Sequence, residues 1–88
     1  MSLFRRPPPR GPFRLLSRPG CHLCEDLRAA AEEPIRDSGE SLQVVDVDSD
    51  PALAERWGLE IPVLLDGEGR VVAKAKDSGA RIRRRLTR

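Results

Sequence analysis

Apolar and polar positions along the chain follow two periods, and the switches between them mark its elements. Phe13-Arg14-Leu15-Leu16-Ser17 is short, mostly apolar and stopped by Pro19-Gly20, which predicts a strand ending in a turn. From Cys21 the spacing lengthens. Leu23, Leu27, Ala30 and Ala31 recur at helical intervals, with Glu25, Asp26, Arg28, Glu32 and Glu33 covering the other side. Pro34 lacks an N–H and clashes with the preceding turn, so this helix is expected to kink or end near it and to be over by Gly39. Leu42-Gln43-Val44-Val45-Asp46-Val47 is rich in β-branched residues and predicts a second strand. Asp50-Pro51 opens a second helix, because the carboxylate can cap free N–H groups and the fixed φ of proline suits the first turn. Leu53, Ala54 and Trp57 form its apolar face, with Trp57 a core residue, and Gly58 ends it. Pro62 to Asp66 and Arg70 to Ala73 flank Gly67-Glu68-Gly69, the chemistry of a hairpin turn. A basic helix from about Asp77 or Ser78 to Leu86 closes the chain, with Ala80, Ile82 or Leu86 turned inward.

The order is therefore β-α-β-α-β-β-α. A βαβ unit requires a parallel strand pair with a right-handed crossover, and the final hairpin adds an antiparallel pair. The expected fold class is α/β, a four-stranded mixed sheet flanked by helices.

Composition narrows the picture. The chain has 88 residues, 39% hydrophobic and 34% charged, enough for one small domain and one core. Residues 1–12 carry four prolines and three arginines with little to pack, so they are expected to form a flexible arm before a domain at 13–88. No apolar run approaches the roughly 20 residues of a membrane span, and none follows the basic start as a secretory signal requires. The expectation is a soluble, cytoplasmic monomer.

The net charge of +2 conceals a partition: residues 1–20 hold five Arg and no acid, 21–69 three Arg and 13 acids, and 70–88 eight basic residues and one acid. These blocks carry +5, −10 and +7. Basic ends raise the alternative of a binding module for nucleic acid or an acidic partner, built on residues such as Arg5, Arg6, Arg10, Arg14 and Arg81 to Arg88. The aromatic side chains that stack bases are nearly absent, since Phe4, Phe13 and Trp57 are the only ones, and nucleic acid is not the favoured partner. A solvated helix face, or attraction of an anionic thiol, explains the basic ends as well.

Candidate chemistry lies at Cys21-His22-Leu23-Cys24, where the first strand hands over to the first helix. Free N–H groups and the helix dipole favour a thiolate there and lower the thiol pKa, which makes Cys21 the attacking sulfur. Cys24, one turn on and on the same side, can resolve a mixed disulfide. One pair of cysteines with a histidine between them does not make a tetrahedral zinc site, and haem attachment would need histidine where Glu25 stands. No metal or bound cofactor is expected. His22 can stabilise the thiolate when protonated, or be a solvated side chain with little effect.

Leu16-Ser17-Arg18-Pro19-Gly20-Cys21-His22-Leu23-Cys24, with Val45-Asp46-Val47-Asp48 and Ile61-Pro62-Val63-Leu64-Leu65-Asp66-Gly67, resembles the small glutaredoxin-like proteins of the thioredoxin fold. The resemblance covers about residues 13–86 and implies a thiol-disulfide oxidoreductase with Cys21 as nucleophile and Cys24 as resolving thiol. It further implies that Pro62 is a cis-proline beside the redox pair and that the backbone of Ile61 binds substrate. Arg18 would meet a glutathione carboxylate, and Asp77 and Ser78 would hold the glutathione amino end. The implied partners are a disulfide-containing protein or glutathione, and the implied reductant is glutathione or a protein thiol. Lys74-Ala75-Lys76 stands where glutaredoxins usually carry two glycines, and the chain has no Tyr.

Overall fold

The computed structural model describes residues 7–87. Its elements are β1 (Phe13–Ser17), α1 (His22–Asp37), β2 (Leu42–Asp46), a short 3-10 turn (Val47–Ser49), α2 (Pro51–Trp57), β3 (Val63–Leu65), β4 (Val71–Lys74) and α3 (Gly79–Leu86). The sheet order is β2-β1-β3-β4, with β1 parallel to β2 and antiparallel to β3, and β3 antiparallel to β4. This is the mixed four-stranded sheet expected from the element order.

Alternation along the strands builds a core on each face. Phe13, Leu15 and Leu64 point to one side, against Leu27, Ala31 and Ile35 of α1 and Ile82 and Leu86 of α3. Leu16, Val63 and Leu65 point to the other, against Val47 and Trp57. Burying each large apolar side chain contributes about 1.5–3 kcal/mol, and these two clusters fix β1 at the centre of the fold. Trp57 is a core residue, as its position in the α2 stripe implies, with the Arg56 guanidinium 4.7 Å from its ring centroid.

Helix α1 carries Pro34 inside it and stops at Asp37, over by Gly39 as expected. Pro34 and Ile35 are buried, and that packing outweighs one missing helical hydrogen bond. The Ala30 carbonyl, which Pro34 deprives of its usual donor, faces Gly79, where an added Cβ would come to 3.0 Å. The close approach of α3 thus uses the first residue of that helix, and Ala80 is exposed while Ile82 and Leu86 are buried.

Of the expected flexible arm, residues 1–6 lie outside the described residues. The remainder, 7–12, is tied to the domain: Gly67 N–H donates to the Arg10 carbonyl at 2.7 Å, and Gly11 N–H donates to Glu40 Oε2 at 3.0 Å. Among the described residues no helix is long and apolar enough to cross a membrane.

Candidate functional site

The turn that presents the cysteines follows from its sequence. Pro19 supplies the fixed φ of the second position, Gly20 the positive φ of +80° that the third position needs, and Cys21 N–H closes the turn on the Arg18 carbonyl at 3.2 Å. Cys21 is thereby set as the N-cap of α1 with extended backbone, and its Sγ accepts the Cys24 N–H at 3.2 Å. The two sulfurs are at bonding distance, with Cα atoms 5.2 Å apart. Their exposures differ: Cys24 is 1% exposed and Cys21 is half-buried. An accessible sulfur at a helix N-terminus, backed by a buried one a turn away, is the arrangement a nucleophile and a resolving thiol require.

Pro62 forms a cis peptide with Ile61, as the resemblance implied. Leu16 pairs with Val63 across β1 and β3, so continuing that register sets Pro62 opposite Ser17 and Ile61 opposite Arg18, next to the turn that carries Cys21. Ile61 itself is half-buried against the Leu16 and Trp57 cluster.

Arg18 is engaged within the chain. Its Nε donates to Asp48 Oδ2 at 2.7 Å and its Nη2 to Asp48 Oδ1 at 3.0 Å, a two-point grip of the kind guanidinium makes with any carboxylate. Nη1 reaches the Gly58 carbonyl at 3.4 Å. The hydrogen bond to Asp48 raises the Arg18 pKa and, reciprocally, holds the Asp48 carboxyl below its usual range. Asp50 caps α2 as expected, accepting the Ala52 N–H at 2.9 Å, and Asp46 accepts the Asp48 N–H at 2.9 Å. Asp48 is the functional neighbour that sequence reasoning missed. The signal was present in the parallel pairing of β1 with β2, which sets Ser17 against Asp46 and brings the residues after both strands together.

His22 extends into solvent, with its side chain 93% exposed and Nδ1 3.7 Å from Glu25 Oε2. Asp77 and Ser78 do stand at the start of α3, but their polar atoms are occupied. Ser78 Oγ caps the helix by accepting Arg81 N–H at 3.1 Å. Asp77 accepts from Lys74 N–H at 2.8 Å, Arg85 Nη1 at 3.1 Å and Arg81 Nη1 at 3.3 Å. Burial pushes the Asp77 carboxyl up, yet those donors together hold it below the usual carboxylate range. Asp77 lines a depression of about 390 Å³ with Pro9 and Arg85, whereas the cysteines line a different one of about 330 Å³ with Arg18.

With this geometry in hand, the sequence profile of the glutaredoxin-like domain (DUF836) matches residues 13–87. The chain belongs to that glutaredoxin-like family. A solved X-ray structure, of the structural-genomics target protein XcR50 from X. campestris, is similar with a TM-score of 0.67 and 32% sequence identity, over 82% of this chain and 91% of that one. No curated protein matches the chain. The fold of this glutaredoxin-like protein is accordingly thioredoxin-like, and its Cys21 and Cys24 pair fits a thiol-disulfide oxidoreductase role.

Proposed function

We propose that this glutaredoxin-like domain reduces or exchanges disulfides through Cys21 and Cys24. The observation that carries the reading is the asymmetric pair itself: a half-buried sulfur that caps α1 and a buried one that it can bond. The Cys21 thiolate attacks one sulfur of a substrate disulfide, and the departing thiolate takes a proton. Cys24 then loses its proton, attacks Cys21 Sγ and expels the second substrate thiolate, leaving Cys21 and Cys24 oxidised. Two electrons reach the substrate, and two external thiols, from glutathione or a protein, restore the dithiol. The Cys24 N–H, already directed at Cys21 Sγ, and the dipole of α1 favour the thiolate at the start of each cycle.

The reading as a basic binding module has less support. Arg83 pairs with Glu33 and Asp37, and Arg81 and Arg85 pair with Asp77, so three of the C-terminal arginines are committed within the domain. The test is Cys24→Ser incubated with a disulfide peptide. Accumulation of a mixed disulfide on Cys21 is the expected result, and absence of any adduct under conditions where free cysteine reacts contradicts the proposal.

A further inference from the structure

Cys21 and Cys24 open onto a depression between the start of α1 and the face of the paired strands β1 and β2, lined there by Leu15, Ser17, Val44 and Asp46. Its floor and rim are apolar at Leu15 and at Val44, which is 41% exposed, and its ionisable residues are Arg18, Glu25, Arg28 and Asp46. Both cations are neutralised by acids from outside the depression. Arg18 is gripped by Asp48, and Arg28 Nε donates to Glu32 at 3.0 Å. The acids are less closely balanced: among the described residues no Lys or Arg forms an ion pair with Glu25 or Asp46, Glu25 has only the exposed His22 beside it, and Asp46 accepts the Asp48 N–H while acting on Arg18 through its charge alone. The surroundings have the same sign, since residues 21–69 carry three Arg against 13 acids.

Resting on the oxidoreductase reading, we infer that the substrate of Cys21 is a disulfide in a cationic, partly apolar polypeptide segment lying along this depression, with its Lys or Arg residues toward Glu25 and Asp46. Opposite charge at the rim of a site acts mainly on encounter and is screened by salt, whereas Val44 and Leu15 offer apolar contact of any sign. A small anionic disulfide meets two carboxylates that no Lys or Arg ion pair engages among the described residues, and an arginine already filled by Asp48.

The test uses the full-length reduced protein and three peptides with the same intramolecular disulfide, flanked by Lys, by Ser or by Glu, with oxidised glutathione as a fourth substrate. At about 0.01 M salt the Lys peptide is expected to be reduced at least about threefold faster than the Ser peptide, and the Glu peptide slower, with the spread collapsing near 1 M as the Debye length falls to about 3 Å. Glu25→Gln combined with Asp46→Asn, the latter keeping a helix-capping side chain, is expected to bring the Lys to Ser ratio close to one. Glu55→Gln, the same charge change on the exposed side of α2, leaves that ratio unaltered. Equal rates for all peptides, or faster reduction of the Glu peptide or of oxidised glutathione, overturn the inference. The substrate set separates the two claims: if none of the three peptides and no oxidised glutathione is reduced, the oxidoreductase reading fails, whereas reduction without charge preference removes only the substrate class.

Discussion

Helices α1 and α3 begin in the same way and end up with opposite characters. In each, the N-cap side chain accepts the backbone N–H three residues on: Cys21 Sγ from Cys24 at 3.2 Å, and Ser78 Oγ from Arg81 at 3.1 Å. What surrounds the cap decides its use. At α3 the neighbouring Asp77 is only 14% exposed and accepts from a backbone N–H and two guanidinium groups, so the helix start is closed by the chain itself. At α1 the cap is a sulfur, half-buried, opening onto a depression. Both helix starts were expected to serve one ligand; the start of α1 leaves its sulfur open to a depression, whereas the polar atoms at the start of α3 are engaged within the chain.

The largest contrast should come from Cys21→Ser. It is expected to bring disulfide exchange down to the uncatalysed rate while leaving the unfolding midpoint of the reduced protein within error, since serine caps a helix well. A stopped-flow assay with a peptide disulfide, together with a melt under reducing conditions, checks both halves. Asp77→Ala should do the reverse. Loss of a mostly buried carboxylate with three donors costs about 1–3 kcal/mol in denaturant unfolding, with exchange per folded molecule unchanged.

Acid should act on the same structural carboxylate. Burial raises the carboxyls of Asp66 and Asp77, but the N–H groups of Arg70 and Glu68 with the Arg70 guanidinium, and of Lys74 with the Arg85 and Arg81 guanidiniums, hold them lower than usual. A depressed carboxyl contributes stability that is complete above its unfolded pKa of about 3.9 and is lost as pH falls through the lower folded value. The unfolding free energy of the wild type is therefore expected to drop below about pH 4 more steeply than that of Asp77→Ala, measured by urea titration. Ser78→Ala is a smaller change, about 1 kcal/mol for one lost cap. Smallest of all, His22→Ala should leave the thiolate absorbance titration of Cys21 where it was, because that side chain is 93% exposed and turned toward Glu25; a clear displacement would assign His22 a part in activating the thiol.

Most of the fold was legible because local chemistry and tertiary packing agree. The alternation at Phe13 to Ser17, the Pro19-Gly20 turn and the Asp50-Pro51 start each specify an element that the core then uses. The end of α1 before Gly39 was legible, whereas the burial of Pro34 and Ile35, which offsets the proline's local cost, is set by packing that sequence does not display. The cysteine pair could be read from its spacing and its place before a helix. Residues assigned to a ligand through the family resemblance are a different case. Arg18 and Asp77 have their expected positions, but whether a charged group is free or already satisfied depends on which partners the fold brings to it, Asp48 from another strand end for one and Arg81 and Arg85 of α3 for the other. Asp66, buried at the hairpin, accepts from Glu68 and Arg70 within its own turn, a local arrangement that its burial completes.

The most direct test of the central claim is a redox titration of the full chain in glutathione buffers of graded potential, with alkylation and mass readout. The account predicts a reversible loss of two hydrogens from the Cys21 and Cys24 pair, with a single two-electron midpoint. A pair that stays reduced across the range, or that oxidises only irreversibly or between molecules, would contradict it.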